Sequence, residues 1–427
     1  MTKPLNNVFS HAALSIGESI THGMRMRIAQ LNEGYAEPDK IIDLSIGTLD
    51  TPTDLRIDQG VIDFIKNTPH LIHQFAPVKG FDFLLKAIAQ RVARVHDVTY
   101  DPATEIMVTP GGIKGAIAVV LHSLLNSGDE VIVPLPNWPH YADMIRLHGG
   151  TPVFVQSDAL IEKGVSANAL SDAITPNTKL IILGDCINPT GKVYTTSELQ
   201  ALGAVVAKHN IDRAEDGLAP MIVIYDCPYE AHILNERAKA FAALTVGAYR
   251  MRDCVVNVTG PGKTYGMHGD RIGYMYAPDW FIAVAANVQV NLNSFAGTYG
   301  QVACFHAMEE AMDEVAHRRA TQARNCALEM IALLRACQLS VHTPQGGYFI
   351  FADLSTYAKR YQQLGYTHAE QFLLQEARVA TISGEHFAEG YAGKDHYRHF
   401  VRINCGRDSA VLTRAAQRIK IALDGLR

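Results

Sequence analysis

Val255-Val256-Asn257-Val258-Thr259-Gly260-Pro261-Gly262-Lys263-Thr264-Tyr265-Gly266-Met267-His268-Gly269-Asp270-Arg271-Ile272-Gly273-Tyr274 reads as a strand, a glycine-crowded turn around one lysine, and a second apolar run opened by Arg271. The β-branched start has the composition of a buried strand, and the glycines mark the turn out of it. A lysine so placed is held by its surroundings rather than solvated. Three readings compete for Lys263. It is a loop lysine among turn glycines, or an amine that forms a Schiff base with a carbonyl cofactor, or part of a phosphate loop ending in Gly262-Lys263-Thr264. The phosphate loop requires a glycine five residues before Gly262, and Asn257 stands there, inside the apolar run.

Outward from this stretch, short β-branched runs alternate with helical periods. Glu105 to Val108 leads to Thr109-Pro110-Gly111-Gly112 and a helix from Ile113 to Leu125. Glu130 to Val133 leads to a helix at Trp138, and Val153 to Val155 to one near Ala167. Lys179 to Leu183 leads to Asn188-Pro189-Thr190-Gly191 and a helix from Thr196 to Lys208, and Met221 to Tyr225 ends at Asp226. Such alternation predicts an α/β protein with a mainly parallel sheet between helices. Ligands of such sheets bind beyond the carboxyl ends of the strands. Gly111, Gly112, Asn188, Asp226 and Lys263 all fall there. No dinucleotide fingerprint is present, because Gly260, Gly262 and Gly266 have the wrong spacing.

At the N-terminus, Ile16, Ile20, Met24, Ile28 and Leu31 trace an amphipathic helix, and Lys40 to Gly47 reads as a short strand. Gly47 either lets a ligand approach the backbone or simply makes a turn. From about Gly300 a helical pattern runs to Cys337, followed by strands near Ser340, Gly347 to Ala352, Val379 to Ile382 and Phe400 to Asn404, and a closing helix from Ala410 to Leu423. A chain of 427 residues exceeds the size of one core. The expected division is an N-terminal segment, 1–47, packing with a small C-terminal domain, 299–427, and a large domain, 48–298.

Bulk composition narrows the function. Charged residues make up 19% and hydrophobic residues 48%, ordinary for a soluble globular enzyme, and the formal net charge of −5 without a basic block argues against nucleic acid. No apolar run reaches the roughly 20 residues of a membrane span and no signal-peptide core opens the chain, so a soluble cytoplasmic protein is expected. Seven scattered cysteines without a Cys-x-x-Cys pair read as core residues in a reducing compartment. No His-Glu-x-x-His or comparable cluster occurs, and no metal is expected.

The strand-end residues suit pyridoxal phosphate, whose ring stores the electrons released at a substrate Cα. Lys263 supplies the imine-forming amine. Asp226, after a buried strand, suits a protonated pyridine nitrogen; an ordinary turn aspartate is the alternative. Asn188 and Tyr229 offer donors to the ring oxygen, with a plain Asn-Pro turn as the other use of Asn188. Gly111, Gly112 and Ile113, opening an apolar helix, present bare N–H groups to the phosphate, and Arg271 offers a bidentate cation. Trp138 would lie flat on the ring or else be a core tryptophan. Arg402 interrupts the apolar Phe400-Val401-Arg402-Ile403-Asn404 with a charge that must be paired, by a substrate carboxylate or by a structural salt bridge.

Taken together, Leu44-Ser45-Ile46-Gly47, Thr109-Pro110-Gly111-Gly112, Gly128-Asp129-Glu130-Val131-Ile132-Val133-Pro134, Asn188-Pro189-Thr190-Gly191, Asp226 with Tyr229, Lys263 with Arg271-Ile272-Gly273-Tyr274, and Val401-Arg402 resemble the class I/II, fold type I, pyridoxal-phosphate aminotransferases. The resemblance implies a seven-stranded, mainly parallel large-domain sheet and a homodimer with active sites at the subunit interface. It also implies ping-pong transfer between amino acid and 2-oxo acid, with Lys263 as proton shuttle and Arg402, Asn188 and Gly47 at the substrate. A lyase, replacement enzyme or oxidase on the same scaffold is the alternative within the fold. Three positions depart from the family. Gly262 and Gly260 stand where hydroxyl residues usually help hold the phosphate, and Phe75 stands where a tyrosine usually reaches the neighbouring subunit's phosphate. Each lost charge-assisted hydrogen bond is worth about 1.5 to 3 kcal/mol.

Overall fold

A computed structural model describes residues 8–18, 20–156, 164–233, 239–388 and 394–426. Its centre is a seven-stranded sheet in the order Ile106–Pro110, Ile272–Tyr276, Val255–Thr259, Ile222–Asp226, Thr178–Gly184, Glu130–Leu135, Thr151–Gln156. The last five run parallel to one another, as the alternating pattern predicts. Ile272–Tyr276 is antiparallel to both of its neighbours. A parallel return needs a crossover long enough to retrace the strand. Here residues 260–271 spend their length on a one-turn helix, Pro261–Tyr265, at the strand end, so the chain comes straight back.

Period-two alternation splits the strand side chains between two cores. Met107 and Met275 belong to one core, with Val131, Ile132, Val223 and Val255. Ile106, Val108, Ile272, Tyr274 and Tyr276 join the Asp82–His96 and Thr298–Ala307 helices in the other. Burying each such side chain contributes about 1.5 to 3 kcal/mol, which makes the sheet the rigid part of the molecule.

A second, antiparallel sheet takes Ser340–Val341, Phe349–Asp353, Phe400–Asn404 and Ile382–Ser383 in that order. Its core includes Val401, Ile403 and Leu412 together with Ile42 and Leu44 from the start of the chain. The expected strand from Lys40 to Gly47 pairs only at Ile42–Asp43, parallel to Val379–Ala380. The Asp43 carboxylate accepts from the Ser45 N–H at 2.9 Å and turns the chain out of the ladder. The run Val379 to Ile382 likewise divides between two sheets.

Helix boundaries shift in three places. The pattern from Gly300 to Cys337 is two helices, Thr298–Ala307 and Asp313–Ala336, separated by a 3₁₀ turn at Glu310–Met312. The Asp279–Leu292 helix precedes them in a stretch whose Val- and Ala-rich composition shows no polar stripe. Trp138 lies before the His140–Leu147 helix rather than in it, because Pro136 and Pro139 delay the first turn.

The N-terminal segment is bound to the second sheet by side chains. Arg402 donates to the Ser45 carbonyl at 2.5 Å, and the Asn404 amide donates to the Ile46 and Thr48 carbonyls at 2.7 and 2.9 Å. Arg319 adds donations to the Pro52 carbonyl at 2.6 Å and the Thr264 carbonyl at 3.0 Å. These contacts fix the backbone of residues 45–48 against the carboxyl ends of the large-sheet strands.

Candidate active site

A cavity of about 400 Å³ opens beyond those strand ends and is bordered by Gly47, Gly112, Ile113, Trp138, Asn188, Asp226, Tyr229, Lys263, Arg271 and Arg402. Gly111 joins them through its carbonyl, which accepts from Arg271 Nη2 at 2.5 Å. Residues far apart in the chain thus meet, most of them at the end of a large-sheet strand or the start of a helix and Arg402 from a strand of the second sheet.

Lys263 sits in the helix Pro261–Tyr265, which Pro261 starts at its first position. Its Nζ donates to the Gly47 carbonyl at 2.6 Å. A Cβ at residue 47 would fall 2.7 Å from Phe349 Cζ, so only glycine lets that carbonyl come so close. Burial, then the charges of Arg402 and Arg271, bring the Lys263 amine down to about 8.

Asp226 ends its strand with a buried carboxylate. The Tyr141 hydroxyl donates to Oδ2, while Oδ1 is buried without a hydrogen-bond partner among the described residues. Burial raises this acid to about 7 against the lowering effect of Tyr141. An acceptor left bare in a dry wall is costly unless something occupies the cavity.

Gly111 and Gly112 adopt φ of +83° and +74°, and Gly112 caps the Ile113–Leu124 helix, whose N-terminus opens into the cavity. Arg271, itself left-handed at φ +56°, also donates to the His268 carbonyl at 3.2 Å. A non-glycine residue in that region is strained, and such strain clusters where a side chain must be aimed.

Arg402 is 6% exposed and lies 4.3 Å above the Phe349 ring. Its Nη1 donates to Asn188 Oδ1 at 3.1 Å, and its Nε has no partner among the described residues. None of the ion pairs among those residues supplies it with a carboxylate. Burial pulls it down to about 10, partly offset by Tyr229 and Tyr348. A structural salt bridge therefore does not account for it within the described chain.

Tyr229 packs edge-on against Tyr348 and Phe349, with Lys263 Nζ 5.9 Å from its ring centre. Trp138 stands edge-on to Tyr141, with Lys114 Nζ 5.1 Å from its own ring. Tyr141, Lys114, His268 and Phe349 also border the cavity and were missed in the sequence. Tyr141, three residues beyond Trp138, had a usable signal in that spacing. Phe349 had none, since an aromatic residue in an apolar strand reads as core.

The departures from the family have different physical standing. A Cβ at residue 260 would meet the Ile272 carbonyl at 2.8 Å, so packing requires the glycine. A Cβ at residue 262 would have only ordinary contacts from 3.6 Å, so a side chain fits there. Phe75 is 89% exposed, with its ring edge-on to Phe295. The phosphate-loop reading is overturned: Asn257 lies mid-strand, its amide donating to the Tyr276 carbonyl at 3.2 Å, and the comparisons below point elsewhere.

The family pattern "Aminotransferase class I and II" matches residues 39–419. A probable aspartate/prephenate aminotransferase of Rickettsia bellii is 32% identical over 358 residues, 82% of this chain and 86% of that protein. The aspartate aminotransferase of Bacillus subtilis is 28% identical over 399 residues, covering 92% of this chain and 93% of that one. Among solved structures, the aspartate aminotransferase from Thermus thermophilus with maleate superposes with a TM-score of 0.82 at 24% identity, over 97% of this chain and 99% of that one. The aromatic aminotransferase from Pyrococcus horikoshii reaches 0.78 at 26% identity, over 93% and 99%. With a family match across most of its length and the same fold in those structures, the chain belongs to the class I and II aminotransferases, pyridoxal-phosphate-dependent enzymes that move an amino group between an amino acid and a 2-oxo acid.

Proposed function

We propose that Lys263 Nζ holds the carbonyl carbon of pyridoxal phosphate, Asp226 its ring nitrogen, Asn188 and Tyr229 its ring oxygen, and the start of the Ile113–Leu124 helix with Arg271 its phosphate. Trp138 covers the ring, and Arg402, with Asn188 and Gly47 beside it, takes the substrate's α-carboxylate. The observation that carries this reading is Asp226 Oδ1, a buried acceptor with no donor among the described residues, on a residue that borders the same cavity as Lys263. A protonated ring nitrogen is the donor it lacks. The left-handed Gly111 and Gly112 and the start of the Ile113–Leu124 helix likewise suit a phosphate dianion, although the Gly112 N–H, expected to be bare, is given to the Arg271 carbonyl at 2.8 Å.

When bound, pyridoxal phosphate supplies an electron sink for the pair released at the substrate Cα. The chain's own residues do the rest. Arg402 orients the substrate through its carboxylate, so that the Cα–H bond faces Lys263. The Lys263 amine, brought to about 8, is neutral in roughly a tenth of molecules at pH 7, against less than a thousandth for an ordinary lysine, and so takes up the Cα proton. Asp226 keeps the ring nitrogen protonated from a site that excludes water. The aspartate named for the relatives is the first amino donor to try.

The expected division into 1–47, 48–298 and 299–427, a homodimer and a cytoplasmic location belong to the same proposal. Supporting the dimer, Phe75, Leu292 and Tyr299 are exposed, Phe75 with its ring edge-on to Phe295. Among the described residues no helix is long and apolar enough to cross a membrane.

The test is a half-reaction. One equivalent of amino acid should release its 2-oxo acid and leave the enzyme in its amine form until a 2-oxo acid is added. Return of the original absorbance without that second substrate would favour a lyase or oxidase. Turnover by Lys263→Ala at a normal rate would remove the lysine from its role.

A further inference from the structure

The turn that connects Lys263 to Arg271 carries a side chain that the proposed chemistry does not use. His268 borders the same cavity, and its Nε2 is buried without a hydrogen-bond partner among the described residues. Its backbone carbonyl accepts from Arg271 Nη1 at 3.2 Å, so imidazole and guanidinium are presented by one short turn. Gly262 faces this turn, since a Cβ built there would lie 3.6 Å from the Met267 carbonyl oxygen and 3.9 Å from His268 Cα. The room left by the missing side chain at 262 therefore adjoins the histidine. At 260 the equivalent room is closed by the Ile272 carbonyl.

We propose that His268 donates from Nε2 to the phosphate of the bound cofactor, beside Arg271, and so replaces the hydroxyl donors that Gly260 and Gly262 do not provide. A dianion at that position favours the imidazole tautomer with its proton on Nε2, and the orphaned nitrogen then has its partner. The histidine reaches the phosphate across the space that Gly262 leaves open, which gives a reason for glycine at a position where packing does not require it. The inference rests on the cofactor placement proposed above.

The experiment separates the two. Cofactor-free protein is titrated with pyridoxal phosphate and, in parallel, with pyridoxal, which lacks the phosphate. The wild type, His268→Ala, His268→Asn, Gly262→Ser and the double variant Gly262→Ser/His268→Ala are compared. One charge-assisted hydrogen bond corresponds to roughly a 10- to 150-fold change in affinity. His268→Ala is expected to lose about that factor for pyridoxal phosphate and almost nothing for pyridoxal, and the double variant is expected to regain most of it. The ³¹P resonance of the bound phosphate should shift in His268→Ala and His268→Asn. Equal weakening toward both ligands would make His268 a structural residue, and unchanged affinity for both would remove it from the site; either overturns the proposal. A wild type that takes up pyridoxal and pyridoxal phosphate equally, or neither, would bring down the cofactor placement as well. The double variant and the thermal unfolding of each cofactor-free protein identify any loss due to misfolding.

Discussion

Two arginines are buried almost equally and are treated in opposite ways. Arg91, 4% exposed, donates to Glu230 at 2.8 Å and to Asp313 at 3.0 Å, while the other oxygen of Glu230 meets His96 at 2.8 Å. Burial works against its charge, yet Glu230 holds its pKa well above the ordinary value. Arg402, 6% exposed, has carbonyl and amide acceptors but no carboxylate among the described residues, and burial lowers it to about 10. The first cation is finished within the fold and ties the Asp82–His96 helix to the Asp313–Ala336 helix. The second is left incomplete, which is costly unless a ligand supplies the anion. A buried charge is informative about function only once its partners are known.

The contrast can be broken at four points. Arg91→Ala should have the largest effect, about 3 to 5 kcal/mol of stability, because it strands a buried Glu230; urea unfolding measures it, and KM for amino acids should stay put. Arg402→Ala should do the reverse, reducing kcat/KM by roughly 10- to 150-fold per lost carboxylate hydrogen bond while the cofactor-free protein unfolds no more easily. If both variants lost stability alike, the distinction would collapse.

Titration sharpens it further. Cofactor capture needs the neutral Lys263 amine, so its rate should fall tenfold per pH unit below about 8 and level off above. Since Arg402 is one of the cations lowering that amine, Arg402→Ala should move the break upward. The remaining titration concerns Asp226, raised by burial to about 7. A carboxyl raised on folding favours the folded state most when protonated, so this contribution is intact below the unfolded value near 3.8 and fades as pH climbs to about 7. The melting temperature of the cofactor-free protein should drop across that window relative to Asp226→Asn.

Much of this was legible in the order of residues. Asp226, Lys263 and the glycine pair before Ile113 could be picked out because each ends a run of β-branched residues, and strand ends converge in a parallel sheet. Arg402 stood out as a charge inside an apolar strand, but whether it was paired depended on what the fold brought within reach. The pairing of Tyr141 with Asp226 was illegible because the two lie 85 residues apart, and Gly260 and Gly262 looked alike until the Ile272 carbonyl was found against one of them. The antiparallel direction of the apolar run Ile272–Tyr276 went unread for a related reason, since direction leaves no mark on composition.

The short ribbon from Ser45 to Gly47 is gripped at one end by Arg402 and at the other by Lys263, each through a backbone carbonyl. The two side chains proposed to meet the substrate's acid end and its neighbouring carbon are therefore mounted on a common yoke. On that assignment, an acid that took the place of the Ser45 oxygen on the guanidinium would act on the same ribbon whose other end holds the amine.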